Sequence, residues 1–379
     1  MAKSLPSDKH DTGIDQLHFL RQHFSRRRFL ALTAIGLVTA GCVSTTQAPT
    51  PVKHGITPTE PSLQRGTLQT ISADNAQRVR ALVTLNPGRG LALAVAWSQS
   101  GNNLAIGGTD GTIQIWDATT LKKQTTLRGH TDQVNRISWS PDGHLLASAS
   151  SDGTVRLWDG QHYTLQTILQ GNGASNPVLS IAWSPDSKRL AAGFGDGIVE
   201  VWDIASHKGQ IFLGQQATDI RSRAVWGVCW SPDNRWIISP QYDGILHVWE
   251  AATGKLLQIL HTDDFPNDVR WMHNGQLVAS SSDKGTVQLW EAETFKNIAT
   301  LQGSSNNGWV YPIAWSPDDR LLVGGYETGL VQFWDATTGK VLNMQQAHTD
   351  RVWDIAWSPD GVLIASASKD GTVRLWGIA

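Results

Sequence analysis

Bulky apolar residues in this chain come in short runs separated by turn-forming residues. Val134-Asn135-Arg136-Ile137-Ser138-Trp139 is one such run, and its length and composition predict a strand. Ser140-Pro141-Asp142-Gly143 follows and predicts a hairpin turn: proline presets φ, Asp favours the turn and glycine accepts a positive φ. Leu145 to Ser150 predicts a second strand whose small residues permit close packing. Asp152-Gly153 makes another tight turn, and Thr154 to Trp158 predicts a third strand. After Asp159 a polar turn leads to a fourth predicted strand, Tyr163 to Leu169.

The same pattern recurs along the chain, and its clearest marker is a pair of tryptophans 19 residues apart. The pairs are Trp97 and Trp116, Trp139 and Trp158, Trp183 and Trp202, Trp230 and Trp249, Trp271 and Trp290, Trp315 and Trp334, and Trp357 and Trp376. The interval inside a pair never changes, while the step between pairs varies from 41 to 47 residues. A fixed interval implies a rigid unit, and a varying step implies a loop that tolerates insertion. One such unit cannot bury its own core, so the array must close on itself. Seven units of four antiparallel strands predict an all-β fold, a seven-bladed β-propeller.

The ends of the third strands resemble the WD-repeat family. They read Trp-Asp at Trp116-Asp117, Trp158-Asp159, Trp202-Asp203 and Trp334-Asp335, Trp-Glu at Trp249-Glu250 and Trp290-Glu291, and Trp-Gly at Trp376-Gly377. The resemblance covers residues 79–379 and implies a stabilising His, Ser, Asp and Trp tetrad in each blade. The set is complete in two blades: His130, Ser148, Asp152 and Trp158, then His348, Ser366, Asp370 and Trp376. Asp110, Asp196 and Asp243 keep the turn carboxylate elsewhere, whereas Lys284 and Thr328 replace it in blades five and six. The tetrads are read as structural and not as hydrolase triads. The last unit stops just after its third strand, and the family's closure rule implies that Val79 to Leu85 supplies the missing fourth strand, closing the ring.

The first 41 residues are read as lying outside this fold. Ser25-Arg26-Arg27-Arg28-Phe29-Leu30 precedes a mildly apolar stretch, Ala31 to Gly41, which reads as an export signal too short to span a membrane. Arg26 and Arg27 followed by Phe-Leu resemble the twin-arginine signal of bacteria. Thr39-Ala40-Gly41-Cys42 resembles a lipoprotein cleavage box, which implies lipidation of Cys42, although Thr39 stands where that family usually has leucine. Ordinary cleavage nearby is the other reading. Residues 42–78 are rich in Thr and Pro and are expected to form a tether to a surface. The chain has only two cysteines, Cys42 and Cys229, so no stabilising disulfide is expected inside the fold.

Candidate partner-binding residues come from positions that break the repeat. Four residues before each first tryptophan stand Leu93, Asn135, Leu179, Trp226, Asn267, Tyr311 and Trp353. Two residues further upstream stand Leu91, Gln133, Pro177, Ala224, Phe265, Trp309 and Arg351. The WD-repeat resemblance places both sets, with the residue before the turn aspartate, on the narrow face that binds partners. That third set is Thr109, Ser151, Gly195, Tyr242, Asp283, Glu327 and Lys369. Trp226, Tyr242, Phe265, Trp309, Tyr311 and Trp353 all fall in blades four to seven. Exposed together they would form an aromatic crescent suited to a peptide, a sugar ring or a cationic group; packed together they would plug the channel.

A net charge of −2 argues against nucleic acid as a partner. No motif for a metal site, phosphate loop or nucleophile stands out, and no metal or cofactor is expected. The sequence therefore predicts an exported, non-catalytic scaffold, monomeric, bound to a protein or peptide, touching a membrane only through a lipidated N-terminus. The alternative is an enzyme or small-ligand binder using the central channel mouth.

Overall fold

A computed structural model describes residues 63–88, 90–171, 176–212, 224–241, 244–303 and 308–379. Arg26, Arg27, Cys42, Tyr242 and Asp243 lie outside the described residues. The described chain forms seven antiparallel sheets of four strands each. Blade one begins with Ala92–Trp97, blade two with Val134–Trp139, blade three with Val178–Trp183 and blade four with Cys229–Trp230. Blades five, six and seven begin with Pro266–Trp271, Val310–Trp315 and Val352–Trp357. The first tryptophan of each pair thus closes the innermost strand.

The two tryptophans of a pair have different jobs. In five blades the first indole Nε1–H reaches back across the seam to the preceding blade. Trp97 donates to the Ala356 carbonyl at 3.1 Å, Trp183 to Ser138 at 3.0 Å and Trp230 to Ala182 at 3.0 Å. Trp315 donates to Arg270 at 3.2 Å and Trp357 to Ala314 at 3.3 Å. The acceptor is always the residue just before the preceding blade's own first tryptophan. The second tryptophan works within its blade: Trp158, Trp249, Trp290 and Trp376 donate to Ser148, Ser239, Ser280 and Ser366, each at 2.9 Å. Buried polar groups need such partners, and aromatic burial supplies the rest of the core. The seams also need small residues. A Cβ on Gly107 would stand 2.7 Å from the Ile137 side chain of the next blade, so only glycine permits that approach.

The tetrads of blades two and seven are assembled. His130 Nδ1 lies 2.8 Å from Asp152 and its Nε2 2.8 Å from Ser148 Oγ. His348 lies 3.0 Å from Asp370 and 2.7 Å from Ser366 Oγ. Burial opposes the charge on Asp152, but hydrogen bonds from His130 and Thr154 outweigh it and hold the carboxyl well below its ordinary value. Both serines are fully buried, out of reach of a substrate. Blade six, which lacks the turn carboxylate, fills the space differently: Trp334 donates to the Gln302 carbonyl at 3.1 Å and Tyr326 packs beside it.

Arg80–Leu85 pairs with Val373–Gly377 and completes blade seven, closing the ring. The preceding segment is also packed, so residues 63–78, expected within the tether, belong to the folded unit. Leu63, Ile71 and Ala76 are buried among apolar neighbours. Leu63 N donates to Thr119 in blade one at 2.8 Å, Ile71 N to Gly361 in blade seven at 2.9 Å, and Asn343 of blade six reaches the Ala76 carbonyl at 2.9 Å. Arg65 clamps the strap by pairing with Asp360 at 2.6 Å and lying 5.6 Å from the centre of the Trp97 ring. One local expectation shifts: the fourth strand of blade two is Leu165–Gln170, and Tyr163 stands before it at φ 58° in the turn.

Candidate functional site

Outside blade four, whose Tyr242 is not among the described residues, the three positional sets meet at one end of each blade. In six blades the backbone N–H of the residue before the turn position donates to the carbonyl six residues upstream of the first tryptophan. These bonds join Thr109 to Leu91, Ser151 to Gln133, Gly195 to Pro177, Asp283 to Phe265, Glu327 to Trp309 and Lys369 to Arg351, at 2.9–3.1 Å. The position four residues before the tryptophan lies where the first strand slips register against the second. Leu93, Asn135, Leu179, Asn267, Tyr311 and Trp353 all occupy such an irregularity. A bulge takes its residue out of the alternating pleat and re-aims the side chain. That geometry, repeated around the ring, creates the candidate face.

Three of the expected aromatics come together there. Trp309 and Tyr311 lie 6.0 Å apart between ring centres, and Tyr311 and Trp353 5.5 Å apart. Arg351 sits among them: its guanidinium carbon is 4.4 Å from the Tyr311 centre, 4.9 Å from Trp353 and 5.8 Å from Trp309. Glu327 holds the arginine by an ion pair of 2.7 Å. Trp309, Tyr311, Trp353 and Arg351 are half-buried, and the cluster spans blades six and seven. The protein thus places its own cation where a cationic ligand would have to sit.

Among the described residues the crescent expected from sequence is not continuous. Trp226 is half-buried in blade four and makes no ring contact among the described residues, and Phe265 is exposed at the start of blade five. Between them and the cluster, blade five presents Asn267, which donates to Asp283 at 2.8 Å and to the Val310 carbonyl of blade six at 2.9 Å. Asn135 does the same in blade two, reaching Ser151 at 2.9 Å and Val178 of blade three at 2.8 Å. Polar residues here tie neighbouring blades, whereas aromatic ones accumulate over blades six and seven.

A second group escaped the sequence reading. Arg136, Asp268 and Asp354 stand three residues before the first tryptophans of blades two, five and seven, at positions otherwise small or apolar. Arg136 hydrogen-bonds to Asp354 across blade one, and Asp268 pairs with Arg270 at 3.1 Å. Each carboxylate also accepts a backbone N–H from the following blade, Val95 to Asp354 at 3.0 Å and Ile313 to Asp268 at 3.3 Å. Burial disfavours the charge on Arg136, and Asp354 and Asp268 more than restore it. The sequence signal was charge recurring at one repeat position. Burial nonetheless pushes the Asp354 carboxyl up beyond what Arg136 restores; the groups are engaged with one another, which weakens the reading of the channel as a ligand site. Among the described residues no group of His, Cys, Asp or Glu is arranged to hold a metal ion.

This geometry agrees with the comparisons to known proteins. The family described as the IFT122 first beta-propeller matches residues 66–314, more than half of the chain. The chain belongs to this β-propeller family. The WD domain, G-beta repeat, matches residues 339–377, and the anaphase-promoting complex subunit 4 WD40 domain matches residues 294–353. The chain is similar to WD repeat-containing protein srw1 of Schizosaccharomyces pombe, 46% identical over 41 residues, which is 11% of this chain and 7% of that protein. It is also similar to anaphase-promoting complex subunit cdh1 of Dictyostelium discoideum, 51% identical over 43 residues, 11% of this chain and 6% of that protein. Each match is about one repeat long and spans less than a tenth of the relative, so the likeness concerns the WD-repeat blade.

Proposed function

We propose that this WD-repeat propeller is a non-catalytic scaffold that holds a protein or peptide partner on the narrow face over blades six and seven. The observation that carries the reading is the half-buried cluster of Trp309, Tyr311 and Trp353 around Arg351. Rigid rings and arginine are the side chains that dominate binding energy at protein interfaces. Because Arg351 already lies over the rings, the cluster suits a peptide better than a free cationic group. A partner can stack on the ring edges and hydrogen-bond to the guanidinium without displacing it. The name of one similar protein, an anaphase-promoting complex subunit, fits a role inside an assembly. The test is a pull-down with the full chain and a Trp309→Ala/Trp353→Ala variant that keeps the wild-type melting curve. Selective loss of a partner supports the reading; an unchanged set of captured proteins rejects it.

We further propose export and surface tethering, supported by the Arg26-Arg27 pair, the apolar stretch after it and the Ala-Gly-Cys sequence ending at Cys42. Two acyl chains on Cys42 would suffice for stable anchoring. Mass spectrometry of the peptide carrying Cys42 decides between a diacylglyceryl group and a free thiol.

A further inference from the structure

Two of the seven first tryptophans lack the seam-crossing hydrogen bond. The Nε1–H groups of Trp139 and Trp271 are buried and reach no acceptor among the described residues. By the rule the other five obey, their acceptors would be the carbonyls of Ala96 and Cys229. Blades two and five share one further feature. Five residues after the second tryptophan the chain turns with a positive φ, a conformation that favours glycine. That position holds Gly254 and Gly339 in blades four and six, Leu121 at φ 57° in blade one and His207 at φ 56° in blade three. In blades two and five it holds an aromatic residue, Tyr163 at φ 58° and Phe295 at φ 54°. Each aromatic packs edge-on against the first tryptophan of its own blade. Tyr163 lies 6.2 Å from Trp139 at 79°, and Phe295 6.2 Å from Trp271 at 88°. Where Leu, His or Gly stands instead, the indole is linked to the preceding blade.

We propose that Tyr163 and Phe295 hold these two indoles away from the preceding blade and so divide the ring into two linked arcs that open against each other. One arc is blades two to four, joined by Trp183 and Trp230. The other is blades five, six, seven and one, joined by Trp315, Trp357 and Trp97. The two open seams keep apolar and aromatic packing: Trp236 stacks on Trp271 at 5.9 Å, and Gly107 lies against Val134 and Ile137. Tyr163 also interacts with Asn103 across the first of them. Packing of this kind slides more readily than an oriented buried hydrogen bond, which loses its whole value when misaligned. Across blade one, Arg136 of the first arc meets Asp354 of the second, so one ion pair spans the division. The three-ring cluster lies wholly in the second arc, and Trp226 lies in the first.

Hydrogen exchange of the full chain at neutral pH tests the division. The innermost strands at the unlinked seams, Val134–Trp139 and Pro266–Trp271, should exchange about tenfold faster than Val178–Trp183 and Val310–Trp315. Equal rates in all four strands overturn the proposal. The role of the aromatics is tested by Phe295→Leu, which installs the residue type of blade one and keeps an apolar side chain. Exchange over Pro266–Trp271 should slow by about tenfold while Val134–Trp139 stays as it was; no slowing overturns the assignment to Phe295. A paired control removes the same atoms from both kinds of seam. Trp271→Phe loses ring packing but no seam bond, whereas Trp315→Phe loses both, so Trp315→Phe should accelerate exchange at its seam about tenfold more than Trp271→Phe does at its own. The same response from both variants counts against the proposal.

Discussion

His247 lies wholly inside blade four, 5.3 Å from the Trp249 ring, with neither ring nitrogen hydrogen-bonded among the described residues. Burial pushes its pKa down to about 4. An unfolded chain takes up the proton near pH 6.5, before the folded one does, so stability is lost as pH falls from about 6.5 to 4. Burial lowers His348 in the same direction, beyond what Asp370 restores. At pH 5 the His247 contribution amounts to roughly 2 kcal/mol. His247→Gln, the residue type of the same position in blades one, five and six, should show a shallower loss between pH 7 and pH 5 in urea titrations. A parallel loss in variant and wild type would contradict this account. The sequence made the position visible, because it varies among Gln, Arg, Glu and His two residues before each second tryptophan. It could not show that the imidazole has no partner, since that depends on which side chains close over it.

At the scale of elements, the closing strand carries the most consequence. Arg80–Leu85 is held by five register pairs to Val373–Gly377, and the strap before it touches blades one, six and seven. Deleting residues 79–85 exposes a sheet edge and unties the strap, and should lower the melting temperature by on the order of 10 °C in calorimetry. An unchanged transition would show that the ring holds without it. Strand order, turn chemistry and this closure were legible because they follow from local residue types repeated at a constant interval. Residues 63–78 were not legible as part of the fold. They continue the Thr- and Pro-rich stretch before them and read with it as a linker, and only their docking against blades that lie far off in sequence buries Leu63 and Ile71. The turn position of Tyr163 is not legible for a similar reason. An aromatic residue favours a strand locally, yet the hairpin geometry shared by the other blades places it at a positive φ.

For the whole molecule, the channel charges act as one unit. Asp354→Asn leaves the Arg136 guanidinium buried beside a neutral partner and should cost about 3–5 kcal/mol in chemical denaturation. Replacing both residues together, Arg136→Met with Asp354→Leu, should cost much less, since a buried pair exchanged for apolar side chains is close to neutral. Equal losses in the single and double variants would mean that the pair does not act as a unit. The candidate face was half legible. Its positions followed from the repeat and the family resemblance, and the bulges explain why they point outward. The placement of Arg351 among the rings did not, because it joins residues from two blades whose relative setting no local pattern encodes.

The closing strand also sets an order of events during synthesis. Among the described strands Arg80–Leu85 leaves the ribosome first, and its partner Val373–Gly377 leaves last. While the strands between them are made, Arg80–Leu85 waits with open backbone groups, and six blades must gather before the ring can lock. Contacts so distant along the chain make for slow folding. A chain cut short anywhere before residue 373 lacks the partner of its first strand and leaves open the sheet edge that a finished ring conceals, a template for pairing with other chains.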